Sequence, residues 1–218
     1  MAREDHPTTA FLVAPGPDVA LPSARPDALV VGVDAGTELL RDRGWPPQVV
    51  VGDLDSISEP TLRWARDAGA EILRHPVDKD ATDLELALVL ALERGVHTVE
   101  IHGGTGGRIS HLLGNVAVVA SPRFSSVEVT WHVDGALVLP CHPHRPRTVA
   151  GVVGDLVSLV PLGGPARGVS TFGLRWALDD DDLDVWSTRG VSNELEAPVA
   201  EVRLRRGTLL VVHERSRP

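Results

Sequence analysis

Two aspartates follow directly on an apolar run in the segment GDLDS, which begins at position 52. The preceding run, QVVV, predicts a strand, so Asp53 and Asp55 are expected at its carboxyl end, where open α/β sheets bind their ligands. In an extended chain, side chains at i and i+2 point to the same side and can share one cation. Such carboxylates suit a Mg²⁺ ion that also bridges substrate phosphates. The alternative is an Asp-rich turn whose serines cap the next helix.

Two further acidic positions are expected at the same edge. Asp34 ends the apolar run LVVGVD, and Asp83 closes the segment DKDATD that precedes a helical pattern. Carboxylates at a helix start are also favoured by the helix dipole alone, which is the alternative for Asp83. The segment lacks the D-x-D-x-D-G spacing of an EF-hand calcium loop. The convergence of three acidic segments on one edge predicts a cation and phosphate site.

A glycine-rich segment, GGTGGR at 103–108, lies between a predicted strand and a predicted helix. The glycines at 104, 106 and 107 let backbone N–H groups approach a phosphate, and Arg108 can bind a phosphate through two hydrogen bonds. The segment is not G-x-G-x-x-G, because position 109 is Ile, and it is not a Walker A motif, because no G-K-[ST] follows. A nicotinamide dehydrogenase and a P-loop NTPase are therefore not indicated. A flexible turn is the alternative.

Composition excludes several classes of partner. The 218 residues carry 21 basic and 30 acidic side chains, a formal charge of −9, so no basic field exists to bind nucleic acid or anionic lipid. A single cysteine, Cys141, excludes an internal disulfide framework and fits a reducing compartment. The first ten residues lack the apolar region of a signal peptide, and no apolar run reaches the length of a membrane span. We expect a soluble, cytoplasmic protein.

The first 133 residues alternate short apolar runs with helical patterns, which is typical of βαβ units around a parallel sheet. Thr82 and Glu85 have capping-box spacing before the best-marked helix, which Gly95 should end. Ser58 with Pro60 should start another helix, and a third should follow Gly107. The predicted strands are 10–14, 29–34, 48–51, 71–74, 98–101 and 127–133.

The pattern of predicted elements changes after Val133, where strands replace the alternation of strands and helices. Asp134-Gly135 is a hairpin signal, CHPHRPR indicates a connection, and short β-type runs follow, among them 155–160, 201–205 and 208–213. We therefore predict an α/β fold in which a Rossmann-like parallel-sheet catalytic domain, 1–134, is followed by a small antiparallel β-sandwich domain, 135–218.

The order of the motifs resembles the thiamine pyrophosphokinase family, whose members move a pyrophosphoryl group from ATP to thiamine. VDAGTELL resembles that family's Asp-Gly-Gly segment, with Ala in place of the first Gly, and GDLDSI its most characteristic motif. DKDATDLELAL resembles its Asp-Lys-Asp-x-Thr-Asp helix start, and GGTGGRISH its Gly-Gly-Arg-x-Asp-His loop. In the tail, GDLVSLVPLGG, FGLRWAL and GVSNEL resemble the small β-sandwich that completes the thiamine site. The family's usual state is a homodimer with each active site in the cleft between subunits.

The resemblance implies roles for particular residues. Asp53, Asp55 and Asp83 would hold Mg²⁺ on the ATP phosphates, with Asp34 nearby as a further ligand or a thiamine contact. Arg108 would steady the phosphates together with the glycines at 104, 106 and 107. Ser192 and Asn193, in GVSNEL, would reach the pyrimidine of thiamine. The implied catalytic set is therefore Asp34, Asp53, Asp55, Asp83 and Arg108.

One position departs from the family pattern, because Ser110 stands where the family's loop has Asp. Serine can still hydrogen-bond to a substrate, but it cannot act as a carboxylate base. This departure leaves two alternatives to a thiamine pyrophosphokinase. One is a pyrophosphokinase acting on another alcohol, such as a pterin, although GVSNEL favours thiamine. The other is a thiamine- or nucleotide-binding protein that no longer catalyses the transfer.

Overall fold

A computed structural model describes residues 8–215, and its contacts divide the chain into two compact units. The first contains the chain up to Val116 together with Trp131–Asp134, and the second contains Ala117–Thr130 and the chain from Gly135 onward. Both the predicted and the observed divisions fall after Asp134, but residues 117–130 pack with the second unit. As a division between catalytic and binding domains, the boundary stays a prediction.

The first unit is built on a parallel sheet. Strand β5 pairs with β1, β1 with β2, β2 with β3 and β3 with β4, and all four pairings are parallel. This is the Rossmann-like arrangement that the alternating pattern predicted. The elements from the start of the described chain are β1 Thr9–Val13, β2 Leu29–Val33, α1 Gly36–Asp42, β3 Val49–Gly52, α2 Glu59–Asp67, β4 Glu71–Arg74, α3 Asp83–Glu93, β5 Thr98–His102, α4 Ile109–Val119, a short 3₁₀ helix Pro122–Phe124, and β6 Glu128–Val133.

The predicted helix starts are confirmed. The Thr82 hydroxyl accepts a hydrogen bond from the Glu85 N–H at the start of α3, and the Ser58 hydroxyl accepts one from Thr61 N–H at the start of α2. Both contacts satisfy backbone donors that a helix leaves unpaired at its first turn. Helix α1 was not predicted, because its N-cap residue is Ala35, whose side chain makes no capping hydrogen bond.

The second unit is a β-sandwich, as predicted. In one layer the strands β12, β9, β14 and β7 are hydrogen-bonded neighbours in that order, and in the other layer β11, β10, β13 and β8 are; all these pairings are antiparallel. Residues from both sheets, including Leu159, Val169, Val202 and Leu209, form one buried core. The strands are β7 Ala136–Cys141, β8 Arg147–Ala150, β9 Leu156–Pro161, β10 Ala166–Phe172, β11 Asp181–Leu183, β12 Asn193–Glu194, β13 Val199–Arg203 and β14 Leu209–Glu214.

Two connections between strands were also predicted correctly. Asp134 and Gly135 join β6 to β7 with φ angles of 49° and 82°, and positive φ at both central residues defines a type I′ turn. The segment CHPHRPR links β7 to β8. Within residues 8–215, no helix has both the length and the apolar character needed to cross a bilayer.

Candidate active site

A cavity of about 660 Å³ opens in the first unit where β2, β3 and β5 end. It is bounded by the residues that follow these strands and by the segment that leads into α3. Asp34, Asp53, Asp55, Asp83, Gly104, Gly106 and Arg108 all line it. The structure therefore brings together seven of the residues singled out in the sequence, at the edge where an open parallel sheet binds its ligands.

Three of these carboxylates form a compact cluster. One oxygen each from Asp34, Asp53 and Asp83 lies within 4.8 Å of the other two. Asp34 Oδ1 is buried and accepts no hydrogen bond from residues 8–215. Three negative groups held this close repel one another, and the buried oxygen has lost its water without gaining a donor. The cluster therefore favours a bound cation.

The backbone explains how the ends of β2 and β3 approach so closely. Asp34 N–H donates to the Val51 carbonyl (2.9 Å), and Asp34 itself has a positive φ of 43°. Gly52 has φ 151°, and a Cβ at this position would lie 3.1 Å from Asp34 Cβ. A side chain at Gly52 would press on the Asp34 side chain, so the glycine of the GDLDS segment keeps Asp34 and Asp53 on adjacent strand ends.

Among residues 8–215, Lys79 is the basic residue that forms ion pairs with this cluster. Its Nζ donates to Asp53 Oδ2 (3.0 Å) and lies 3.2 Å from Asp83 Oδ1. The side chains of Lys79 and Asp53 are each 14% exposed. The cluster thus contains three carboxylates and one ammonium group, and it keeps a net negative charge.

The electrostatics of the cluster shift its pKa values in opposite directions. Burial raises the pKa of Asp34; a hydrogen bond from Ala35 N–H opposes this, and the charges of Asp83 and Asp53 add to it. Burial, the largest single effect, works against ionisation of Asp53, but the hydrogen bonds from Lys79 and Asp55 and the charge of Lys79 together outweigh it and lower the pKa of Asp53. Ionisation is therefore harder for Asp34 than for Asp53, and a divalent cation would relieve that cost.

Asp55 does not lie beside Asp53 in the way the sequence predicted. Leu54 has φ 66°, so the chain turns and the i, i+2 argument, which assumed an extended segment, fails here. Asp55 N–H donates to Asp53 Oδ1 (3.2 Å), and the exposed Asp55 carboxylate accepts a hydrogen bond from the Ser56 hydroxyl (2.8 Å). Asp55 still lines the cavity, and its role as a metal ligand stays a prediction.

The glycine-rich loop after β5 is held from two sides. The indole N–H of buried Trp131 donates to the Gly103 carbonyl, 2.6 Å away, and Asn115 Nδ2 donates to the Gly104 carbonyl, 2.9 Å away. Gly103, Gly104, Gly106 and Gly107 all have positive φ, and a Cβ on Gly103 would lie 2.1 Å from the Ala14 carbonyl oxygen. The loop can therefore form only with glycine at this first position.

Asn115 also ties the loop to α3, because the Thr82 hydroxyl donates to Asn115 Oδ1 (3.2 Å) while it caps that helix. Neither Asn115 nor Trp131 was singled out from the sequence. Each is an ordinary residue within a helix or strand, and only the fold shows that its polar group is buried against the loop. A polar residue inside the apolar pattern ISHLLGNVAVV was the available signal for Asn115.

We expect Asn115→Ala to destabilise the protein by about 1 to 3 kcal/mol, because it removes a buried hydrogen bond and leaves the Gly104 carbonyl without its donor. Urea unfolding followed by circular dichroism measures this free energy. Glu93→Ala, an exposed position at the end of α3, is the matched control and should change it by less than about 0.5 kcal/mol. Equal stabilities for the two variants would contradict the proposed support of the loop.

Arg108 and Ser110 lie at the start of α4. The Arg108 carbonyl accepts the first helical hydrogen bonds, from His111 N–H and Leu112 N–H, and its side chain lines the cavity. Gly107 and Ser110 are exposed and do not border the cavity. The structure thus places Ser110 in the first turn of α4, apart from the three carboxylates, and its substrate contact stays a prediction.

The remaining predicted site residues, Ser192 and Asn193, line a second cavity of about 520 Å³ in the second unit. Ser192 is exposed and has φ 61°. Asn193 is buried, and its side chain both accepts from Trp176 N–H (3.1 Å) and donates to the Trp176 carbonyl (2.8 Å). The amide group of Asn193 is therefore used in holding Trp176, whose ring is 53% exposed at the cavity.

The donor set of the first cavity fits Mg²⁺. One carboxylate oxygen from each of Asp34, Asp53 and Asp83 lies within reach of the other two, and Asp34 Oδ1 is buried without a donor among the described residues; carboxylate oxygens are the hard ligands that this ion prefers. No thiolate or imidazole belongs to this cluster, so the softer ligands that favour zinc or copper are absent from it. Asp34, Asp53 and Asp83 are the residues that would hold the ion.

Comparison with known proteins agrees with the geometry. Residues 24–131 match the family model "Thiamin pyrophosphokinase, catalytic domain", and residues 145–209 match "Thiamin pyrophosphokinase, vitamin B1 binding domain". Thiamine pyrophosphokinase of Bacillus subtilis (strain 168) is 28% identical over 209 residues, covering 94% of this chain and 97% of that protein. Thiamine pyrophosphokinase 1 of Oryza sativa subsp. japonica is 29% identical over 167 residues, which cover 72% of this chain and 62% of that protein.

The similarity extends to the fold. The crystal structure of thiamine pyrophosphokinase from Bacillus subtilis superposes with a TM-score of 0.83 at 27% identity, covering 96% of this chain and all of that one. The matched segments contain the acidic cluster, the glycine-rich loop and the residues of the second cavity. The chain therefore belongs to the thiamine pyrophosphokinase family.

Proposed function

We propose that the protein transfers the pyrophosphoryl group of ATP to the hydroxyl of thiamine. The thiamine oxygen attacks the β-phosphorus, the bond between that phosphorus and the oxygen of the α-phosphate breaks, and the products are thiamine pyrophosphate and AMP. The observation that carries this proposal is the cavity in which an acidic cluster faces a glycine-rich loop and Arg108. These are the groups that phosphoryl transfer requires.

The metal end of the site rests on Asp34, Asp53 and Asp83, with Asp55 as a further ligand from the same cavity. Bound Mg²⁺ would neutralise charge on the phosphate oxygens. The carboxylates themselves cannot bind a polyphosphate, because like charges at this distance repel. The protein's own contribution is to hold these oxygens in place before the substrates arrive, which lowers the reorganisation needed during the reaction.

The phosphate end of the site rests on the glycine-rich loop. Gly106 lines the cavity with a positive φ of 87°, whereas Gly104, whose N–H donates to the Pro15 carbonyl (2.8 Å), shapes the loop, and the start of α4 follows at Ile109. Unpaired N–H groups at a helix start attract anions, and the Arg108 guanidinium adds a donor with two parallel N–H groups. We propose that these groups bind and align the phosphate chain, so that positioning and charge neutralisation supply the rate enhancement.

The thiamine end of the site is proposed for the second unit. Its cavity offers a half-exposed indole ring at Trp176, with the Arg175 guanidinium 4.9 Å from the ring centroid, beside Ser192 and Asn193. An aromatic surface with polar groups at its edge suits a planar heterocycle. We further propose that the functional particle is a homodimer, as the family resemblance implies, and that it works in the cytoplasm.

One assay tests the proposal against its rivals. Pure protein is incubated with ATP, Mg²⁺ and either thiamine or a hydroxymethyl pterin, and AMP is measured together with the pyrophosphorylated product; samples with EDTA serve as controls. The proposed function requires both products from thiamine and none after chelation. Transfer to the pterin but not to thiamine would show that the acceptor is a pterin. Thiamine binding without formation of AMP would identify a binding protein.

A further inference from the structure

Lys79 is the single lysine among the 218 residues. The twenty other basic residues are arginines, so the chain carries one compact ammonium group, and that group lies in the acidic cluster. Its partners are Asp53 Oδ2 and Asp83 Oδ1, at 3.0 Å and 3.2 Å. Both partners belong to the set of three carboxylates that would hold Mg²⁺.

The ammonium group and a metal ion therefore need the same carboxylates. Mg²⁺ binds oxygen at roughly 2.0 to 2.1 Å, and a cation that close to Asp53 and Asp83 would strongly repel an ammonium group paired with both. Lys79 neutralises one of the three negative charges when no ion is bound, and Mg²⁺ would neutralise two. Replacing the ammonium group by Mg²⁺ is favoured because the ion neutralises more of the carboxylate charge. The replacement also breaks the ion pairs of Lys79 with Asp53 and Asp83.

A displaced ammonium group needs a new anion. The Lys79 side chain is only 14% exposed, so an unpaired charge there would be poorly hydrated. Burial alone would lower the pKa of Lys79, but its hydrogen bonds and the charges of Asp53 and Asp83 raise it, so the group remains a cation at neutral pH. Lys79 lines the same cavity as the glycine-rich loop and Arg108, where the phosphate chain is proposed to lie. Lysine binds phosphate well as a point charge.

We propose that Lys79 is a built-in counter-ion that Mg²⁺ displaces from Asp53 and Asp83, and that its ammonium group then binds the phosphate chain of the nucleotide. The proposal rests on the proposed function for the identity of the phosphate ligand. This exchange couples the binding of metal and nucleotide. When Mg²⁺ binds alone, the displaced ammonium group has no anion to pair with. When the nucleotide binds alone, its phosphates meet an acidic cluster that still carries a net negative charge. By linkage, each ligand then strengthens the binding of the other to the same extent.

The lone lysine makes this exchange directly observable. Protein labelled with ¹³C and ¹⁵N only in lysine gives a single correlation between Cε and Nζ, which needs no assignment by mutation. We expect this signal to shift when Mg²⁺ is added, and to shift again when an ATP analogue with a methylene group between the α- and β-phosphates follows. A signal that Mg²⁺ leaves unchanged at saturation would overturn the counter-ion role.

Calorimetry on variants measures the coupling. Lys79→Gln removes the competing charge and should bind Mg²⁺ alone about tenfold more tightly than wild type, while Lys79→Arg keeps the charge and should not. Arg74→Gln, an exposed position at the end of β4, removes one positive charge without touching the carboxylates and controls for net charge. In wild type, the analogue should strengthen Mg²⁺ binding at least about fivefold, and in Lys79→Gln this factor should be clearly smaller, because only the direct attraction between Mg²⁺ and the phosphates remains.

The outcomes separate the two halves of the proposal from each other and from the proposed function. Mg²⁺ affinity in Lys79→Gln equal to that in Arg74→Gln overturns the displacement. A coupling factor in Lys79→Gln as large as that in wild type overturns the transfer to phosphate. If wild-type protein forms AMP and thiamine pyrophosphate while either result holds, the proposed function stands and the role of Lys79 falls.

Discussion

Asp53→Asn is expected to lower kcat/KM for thiamine pyrophosphate formation by about 10³-fold, whereas Asp55→Asn, which removes a proposed ligand outside the compact cluster, should lower it by a smaller factor. The two substitutions are chemically identical and lie two residues apart in one motif. Only Asp53 belongs to the cluster with Asp34 and Asp83. Losing its charge removes a metal ligand and also one of the two ion-pair partners of Lys79.

The comparison separates chemistry from folding. An asparagine at 53 can still accept the hydrogen bond from Asp55 N–H through its Oδ1, so the turn at Leu54 should persist. Circular dichroism and urea unfolding should therefore be close to wild type for both variants. Near-normal turnover of Asp53→Asn at saturating Mg²⁺, or a larger loss in Asp55→Asn, would contradict the placement of the metal on the three clustered carboxylates.

The sequence was sufficient to predict those features of the first unit that depend on local signals. Helix α3 begins where Thr82 and Glu85 indicated, and strand β4 has the predicted bounds, Glu71–Arg74. The acidic segments and the glycine-rich segment line one cavity, because the carboxyl ends of neighbouring parallel strands share an edge. Chain order and strand direction were enough for this inference, without any knowledge of distances.

Other features depend on conformations that residue type does not reveal. Leu54 adopts a positive φ, which is unusual for a branched side chain, so a turn between Asp53 and Asp55 could not be expected from residue type. Strands β8, β10, β11 and β12 are short or contain a glycine and were not located, since their apolar patterns are too brief to identify. The packing of residues 117–130 with the second unit is a long-range property.

At the second cavity, too, some features could be predicted from the sequence and others could not. GVSNEL pointed to Ser192 and Asn193 as substrate contacts, and both line the cavity. The side-chain amide of Asn193 is instead hydrogen-bonded to the backbone of Trp176. It accepts a hydrogen bond from the Trp176 N–H and donates one to the Trp176 carbonyl. Trp176 was not singled out from the sequence, because a tryptophan is more often a core residue than a half-exposed ring.

A test of shared active sites follows from the placement of these groups in different units. Trp176→Ala should raise the KM for thiamine by at least about tenfold, because it removes an aromatic surface from the cavity. Trp186→Ala is the matched control, since this tryptophan is 94% exposed and does not line either cavity. Asp53→Asn and Trp176→Ala are each prepared as pure protein, mixed, and given time for subunits to exchange.

If each active site of a homodimer takes its acidic cluster from one subunit and its thiamine cavity from the other, a mixed dimer has one site with both substitutions and one intact site. Half of all dimers are mixed at equal concentrations, so the mixture should regain up to about a quarter of wild-type activity. Sites built within one subunit would each keep one substitution, and activity would not return. Light scattering at the assay concentration tests the dimer itself. A monomer with full activity would exclude shared sites, because a site shared between subunits exists only in the assembled dimer.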